Sequence, residues 1–146
     1  MPIRFIDPKN ATPFRDIVNA DPEFKLAARY MTKDACIEVG DIRCIVKFRD
    51  GVVTKIKSED TLADPWDFAV RGSADAWEKF LQPIPPRFYD GIFGGVIRGN
   101  FLIEGDTVSA FSHFWAVTRM LDIFRELQNQ QRGRTKGIQG ERNGKN

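Results

Sequence analysis

The chain has 146 residues, 42% hydrophobic and 29% charged, which is the size and composition of one soluble globular domain. No apolar run approaches the ~20 residues of a membrane-spanning helix, and Met1-Pro2-Ile3-Arg4-Phe5 opens no apolar signal core, which argues against secretion by that route and for a cytoplasmic protein. The net charge of +2 is uneven: residues 129–146 hold five basic side chains against one acid, so the body of the chain is faintly negative and ill suited to specific nucleic-acid binding.

Thr12-Pro13 and Asp21-Pro22 both read as helix starts, a capping residue followed by proline. They predict two short helices, or one broken at Pro22, ending near Met31. From Ala35 the apolar period becomes two. Gly40-Asp41 predicts a two-residue turn with glycine first, pairing Val39 with Ile42, Ile37 with Cys44 and Ala35 with Val46. Cys44 then faces the core and Cys36 the opposite side, so the two are expected to be free thiols. Arg49-Asp50-Gly51 suggests a three-residue loop that sets Phe48 opposite Val52, Val46 opposite Thr54 and Cys44 opposite Ile56.

Trp66, Phe68 and Val70 alternate with polar or small residues and predict a fourth strand. Ser73 is placed to cap a helix bearing Ala76, Trp77, Phe80 and Leu81 on one face, and Pro83, Pro85 and Pro86 stop it. A short helical piece is expected within 87–96 and a fifth strand within 98–106. Asp106 then caps a single long helix reaching Leu127. After Gln128 the composition is that of an unstructured basic tail.

Chemistry-bearing residues are sparse. Two cysteines and one histidine exclude a disulfide scaffold and supply no metal-ligand set. No pair of carboxylates is spaced for acid–base work, and the glycines between 91 and 99 are not followed by the Lys-Ser/Thr of a phosphate loop. No cofactor or catalytic residue is expected. His113 is read first as a structural hydrogen-bonder, and Arg71 and Arg98 as solvated charges, with anion-holding at a pocket mouth the competing role for the two arginines. Of 17 aromatic residues, 11 fall between Trp66 and Trp115, which directs attention to that half of the chain. The apolar band of the last helix is wider than one sheet contact needs: Val108, Phe111 and Trp115 cannot share a partner with Val117, Met120 and Phe124.

Three stretches resemble the sterol carrier protein type-two lipid-transfer family: Ile45-Val46-Lys47-Phe48-Arg49-Asp50-Gly51, the segment from Ala63-Asp64 to Trp77, and Gly95-Val96-Ile97-Arg98-Gly99-Asn100-Phe101-Leu102-Ile103-Glu104-Gly105-Asp106. They span roughly residues 30–127. The resemblance implies an α+β fold, a five-stranded mostly antiparallel sheet covered on one face by helices, with an apolar tunnel for acyl chains, sterols or other lipids. The chain departs from that family in the proline- and aromatic-rich linker 82–94. The expected organisation is an N-terminal helical segment at 1–31, the sterol-carrier-like domain at 32–128 and the basic tail at 129–146.

The expected ligand contacts are Phe80, Phe93, Phe101, Ile103, Phe111, Trp115 and Leu121, acting by non-covalent apolar burial on a lipid-like small molecule. Transient membrane contact and a homodimer are left open as partners. Two other readings compete: a small enzyme, or an enzyme's accessory domain, using His113 or a carboxylate on an apolar substrate, and an interaction or oligomerisation module whose tunnel is plugged by Phe88, Tyr89 and Phe93.

Overall fold

The computed structural model describes residues 3–59, 65–87, 89, 91–98 and 100–144; for Glu59, Phe93, Ile97 and 131–144 it describes the backbone alone. The expectations for residues 60–64, Phe88, Asp90, the Phe93 side chain, Gly99 and the basic side chains after Gln130 lie outside the described residues.

Two single 3₁₀ turns, Arg4–Ile6 and Pro8–Asn10, lead into α1 (Ala11–Ala20) and α2 (Pro22–Ala27). Then follow β1 (Lys33–Val39), β2 (Ile42–Arg49), β3 (Val52–Glu59), β4 (Phe68–Gly72), α3 (Ala74–Phe80), α4 (Ile92–Ile97), β5 (Phe101–Gly105), α5 (Thr107–Ser112) and α6 (Phe114–Gly144). The five strands form one sheet in the order β3-β2-β1-β4-β5. Every neighbouring pair is antiparallel except β1 with β4, which is parallel. The architecture is α+β with a mixed, mostly antiparallel sheet, as the sequence leads one to expect.

The β1–β2 register is the expected one, with Val39 opposite Ile42, Ile37 opposite Cys44 and Ala35 opposite Val46. Gly40 opens the turn at φ +58, a conformation an L side chain resists. The β2–β3 hairpin departs from expectation. Its turn is Asp50-Gly51 alone, at φ 50 and +79, so Arg49 pairs with Val52. A two-residue turn with both central φ positive matches strand twist better than the longer loop. A register shift at Lys47/Phe48 follows, giving Phe48–Val53, Val46–Ile56 and Cys44–Ser58 in place of the expected pairs. The bulge restores inward alternation, because Val53 and Ile56, three residues apart, both become buried. Asn19 of α1 meets the main chain of β3, its side chain donating to the Val53 carbonyl at 2.9 Å and accepting from the Val53 amide at 2.8 Å. An edge strand is thereby blunted.

Helix boundaries differ in instructive ways. α1 starts at Ala11, ahead of the Thr12-Pro13 signal, and Pro13 sits within the first turn, where no intrahelical donor is lost. α2 starts as expected, with the Asp21 carboxylate accepting from the Phe24 amide. It ends at Ala27, before Met31, and Tyr30 then adopts φ 69 with 82% of its surface exposed. Ser73 caps α3 through the Ala76 amide at 3.0 Å. The single helix expected from Asp106 to Leu127 is two, separated at His113 (φ −110, ψ 22). Just before the break, the Ser112 hydroxyl donates to the Val108 carbonyl at 2.7 Å, a back-bond that bends helices. α6 continues through Gly144, beyond residue 128, where the sequence reading ends the ordered domain. A helix already nucleated by packed residues propagates at little cost.

The core lies between the helices and one sheet face. Phe5, Phe14 and Phe24 from the N-terminal segment share it with Ile37, Val46 and Phe68 of the sheet and Met120, Leu121 and Phe124 of α6. Asp21 is held by Arg119 of α6 at 2.8 and 2.9 Å, so one carboxylate both caps α2 and ties it to α6. That pairing holds the Asp21 carboxyl below its usual range. The opposite sheet face carries a smaller cluster of Cys36, Ile45 and Ala69 with Trp66 packed against it. Both cysteines are free, on opposite faces as expected, and burial pushes their thiols up to about 11 at Cys36 and about 12 at Cys44.

Candidate functional site

The candidate site is where β4 and β5 meet α4, α5 and α6. Its geometry begins at Gly105-Asp106. Gly105 has φ +83, and a Cβ there would lie 2.6 Å from the Asp67 carbonyl, so only glycine lets the two segments approach. The Asp106 amide donates to that same carbonyl at 2.8 Å. Its carboxylate caps α5, accepting from the Ser109 amide at 3.0 Å and the Ser109 hydroxyl at 2.5 Å. Ser109 thereby keeps the Asp106 carboxyl ionised to lower pH than usual. With the start of α5 pinned, Ala110 turns inward while Val108 and Phe111 turn out.

A pocket lies under this corner, lined by Phe68, Val70, Ile92, Ile103, Ala110, Phe114, Val117 and Thr118. The Thr118 hydroxyl is the polar side-chain group in that lining. The cavity is about 10 Å³ in this conformation, space for about one water. A second hollow of about 630 Å³ is an open furrow between α1 and α6, bounded by Ile17, Ile123, Glu126, Leu127, Asn129 and Gln130.

The residues singled out from sequence are distributed as follows. Ile103 lines the pocket. Leu121 is fully buried in the core. Phe80 packs edge-on against Trp77 at 5.6 Å and lies under the Arg125 guanidinium at 4.3 Å. Phe101 is edge-on to Trp77 at 4.9 Å, Phe80 at 5.9 Å and Tyr89 at 6.4 Å. It is also gripped by two glycines: a Cβ at Gly72 would stand 2.7 Å from its ring, and one at Gly95 would overlap it. Phe111 and Trp115 face outward, 48% and 73% exposed. The Phe93 side chain is outside the described residues.

The other seven lining residues were not singled out. Phe68 and Val70 carried the inward alternation of β4, and Ala110, Phe114 and Val117 recur at helical spacing, so the signal existed. What hid it is that these positions also read as ordinary core, and spacing does not separate a residue that lines a space from one that fills it.

The polar candidates sit elsewhere. Arg71 lies on the sheet face opposite the main core, donating to Glu38 at 2.7 and 3.2 Å and to Glu104 at 2.7 Å. These bonds, that to Glu38 foremost, hold its guanidinium protonated. It is engaged on the face away from the pocket, so a ligand headgroup inside would not meet it. Arg98 caps the end of α4 and is exposed. His113 occupies the α5–α6 junction, where burial and then Lys33 push its pKa down. Among the described residues no cluster of His, Cys, Asp or Glu could hold a metal ion, and no helix is long and apolar enough to cross a membrane.

No family model matches the chain, and no curated protein matches its sequence. Solved structures do. A crystal structure of sterol carrier protein 2 superposes with a TM-score of 0.65 at 15% identity, covering 79% of this chain and 92% of that one. A conserved hypothetical protein, possibly sterol carrier protein, from Thermus thermophilus gives 0.67 at 14% identity, covering 86% and 90%. A ubiquinone synthesis protein, UbiJ-SCP2, gives 0.50 at 18% identity, covering 77% and 90%. The likeness is one of fold and runs over nearly the whole of those domains. This chain adopts the sterol carrier protein 2 fold, which is the architecture its three sequence motifs resemble.

Proposed function

We propose that the chain binds a hydrophobic small molecule, an acyl chain or a sterol-like lipid, non-covalently between β4–β5 and α4–α6. The observation that carries this reading is the pocket lining, seven apolar side chains and one threonine, on a fold shared with sterol carrier protein 2. Such a lining offers van der Waals contact and excludes water while giving little to fix a polar group. Each methylene moved from water into it contributes about 0.8 kcal/mol before ordering costs.

A lipid chain needs far more room than about 10 Å³, so loading requires α4 and α5 to move off the sheet. These are the two short helices at the site, six residues each, and α4 contains Gly94-Gly95. Helices this short are the elements whose local opening costs least, and moving α4 also takes Gly95 off the Phe101 ring. Ile103 is the proposed contact at the sheet and Phe93 a proposed contact once the pocket widens, whereas the outward-facing Phe111 and Trp115 are assigned to neither wall. Phe80, Phe101 and Leu121 are proposed as its inner wall. The reading includes no covalent step, and it places the carrier in the cytoplasm, where two free buried thiols are at home.

The test is ligand retention. Protein purified gently and sprayed under native conditions should carry a lipid-sized mass, and a fluorescent fatty acid should be displaced by unlabelled fatty acid or sterol. A clean apo mass together with no uptake overturns the reading. A second reading rests on the packing of Phe101 between Gly72 and Gly95 against Trp77, Phe80 and Tyr89, rings that fill space a tunnel would use. In that case the domain is an interaction module, which takes up no ligand and is a constitutive dimer in solution.

A further inference from the structure

We propose that the outer face of the α5–α6 junction, Val108, Phe111 and Trp115, docks on a lipid bilayer surface. This goes beyond cargo binding, since an empty protein would dock equally well. The three residues are 75%, 48% and 73% exposed and recur at intervals of three and four along the two helices, so they present one face across the break. Val108 and Trp115 stand mostly in solvent and Phe111 about half so, whereas their neighbours Ala110, Ala116 and Val117 are buried.

The surroundings favour a lipid interface over another protein. From Thr107 to Leu121 there is no acidic residue, and Arg119, the basic one, is turned away onto Asp21. Asp106, just before this stretch, is offset by Lys33 at 3.9 Å. Residues 107–121 therefore bring no acidic charge to this face, and its exposed polar groups include the hydroxyls of Thr107 and Ser112. Tryptophan with an apolar body and one N–H is suited to the headgroup–acyl boundary. The exposed apolar area of the three side chains is on the order of 300 Å², against about 800 Å² per partner in a stable protein interface. That is too little for a dimer but enough for shallow insertion of a short amphipathic element.

The face also adjoins the pocket. The Trp115 ring packs edge-on against Phe114 at 5.3 Å, and Phe114 and Ala110 line the cavity. Insertion of Trp115 and Phe111 would set the pocket wall against the bilayer.

The test uses the full chain and phosphatidylcholine vesicles. Wild-type protein should float with the vesicles, and the double substitution Phe111→Ser, Trp115→Ser should lower the floated fraction at least tenfold. Brominated phosphatidylcholine should quench tryptophan emission of the wild type. Trp115→Phe should still float but lose that quenching, which decides the matter even if the double variant does not fold. The proposal is overturned if the wild type stays in solution, if the double variant floats equally, or if Trp115→Phe is quenched like the wild type. It is also overturned if sedimentation equilibrium finds a dimer that the double substitution dissociates.

Discussion

Phe101 and Trp115 are both large aromatic residues at the same helix–sheet corner, and they live in opposite surroundings. Phe101 is 3% exposed, wedged between two glycines and touched by three other rings. Trp115 stands in solvent on the far side of α6 and touches Phe114. Their hydrophobicity is alike, so residue type did not decide burial. Backbone placement did: β5 aims position 101 at the glycine backbone of β4 and α4, and the helical period of α6 turns position 115 away from the buried Ala116 and Val117. One region is a finished core. The other is apolar surface presented to solvent.

The sharpest way to break the comparison is to truncate both residues. Phe101→Ala should cost about 3–5 kcal/mol in urea unfolding, the loss typical of a buried phenylalanine. Trp115→Ala should stay within about 0.5 kcal/mol, as surface changes do. Similar losses at the two sites would mean that the corner is one packed unit.

The grip on Phe101 can be measured separately. Gly95→Ala should lower stability by about 1–3 kcal/mol, because the added methyl overlaps the buried Phe101 ring. Phe101→Leu in the same chain should return part of the loss in thermal unfolding, whereas an unchanged loss would place the strain in α4 itself.

A smaller effect tests how firmly the inner face of α6 is seated. Asp21→Asn keeps a good helix cap but removes the charge that pairs with Arg119. The cost should be about 1–2 kcal/mol at neutral pH, reduced by partial solvent exposure of the pair. Because the folded state holds the Asp21 carboxyl below its usual 3.8, the pairing contributes fully above that pH. Its contribution is lost as pH falls through the lowered folded value. The stability gap between wild type and Asp21→Asn should therefore be constant from about pH 5 to 7 and close below about pH 4. A gap that does not narrow at all as the pH falls below about 4 would assign the effect to the cap.

Much of the fold was legible because short-range physics specifies it. The Gly40-Asp41 turn admits one register for two alternating strands, and both the pattern and the turn point to it. Asp21, Ser73 and Asp106 cap the helices that the residue order places after them. The β2–β3 hairpin was misjudged because Asp50-Gly51 supports a two-residue turn whose register error only a bulge corrects, and a bulge leaves no periodic trace. The site was read less well. Phe80, Phe101 and Leu121 were recognised as inward, yet whether an inward aromatic lines a space or fills it depends on what lies opposite.

The amino-acid order by itself determined the α+β class, the inner face of most strands and the helix starts. It also set Val108, Phe111 and Trp115 on a helical face apart from Val117, Met120 and Phe124. These follow from periods and caps that operate within a few residues. Only the tertiary structure decided the parallel pairing of β1 with β4, the joining of the N-terminal phenylalanines to the same core, and the division of the aromatic residues between packed ring cluster and open face. Each of those depends on contacts between residues distant in the chain, such as Gly72 and Gly95 closing on Phe101, and no local pattern encodes the space left between them.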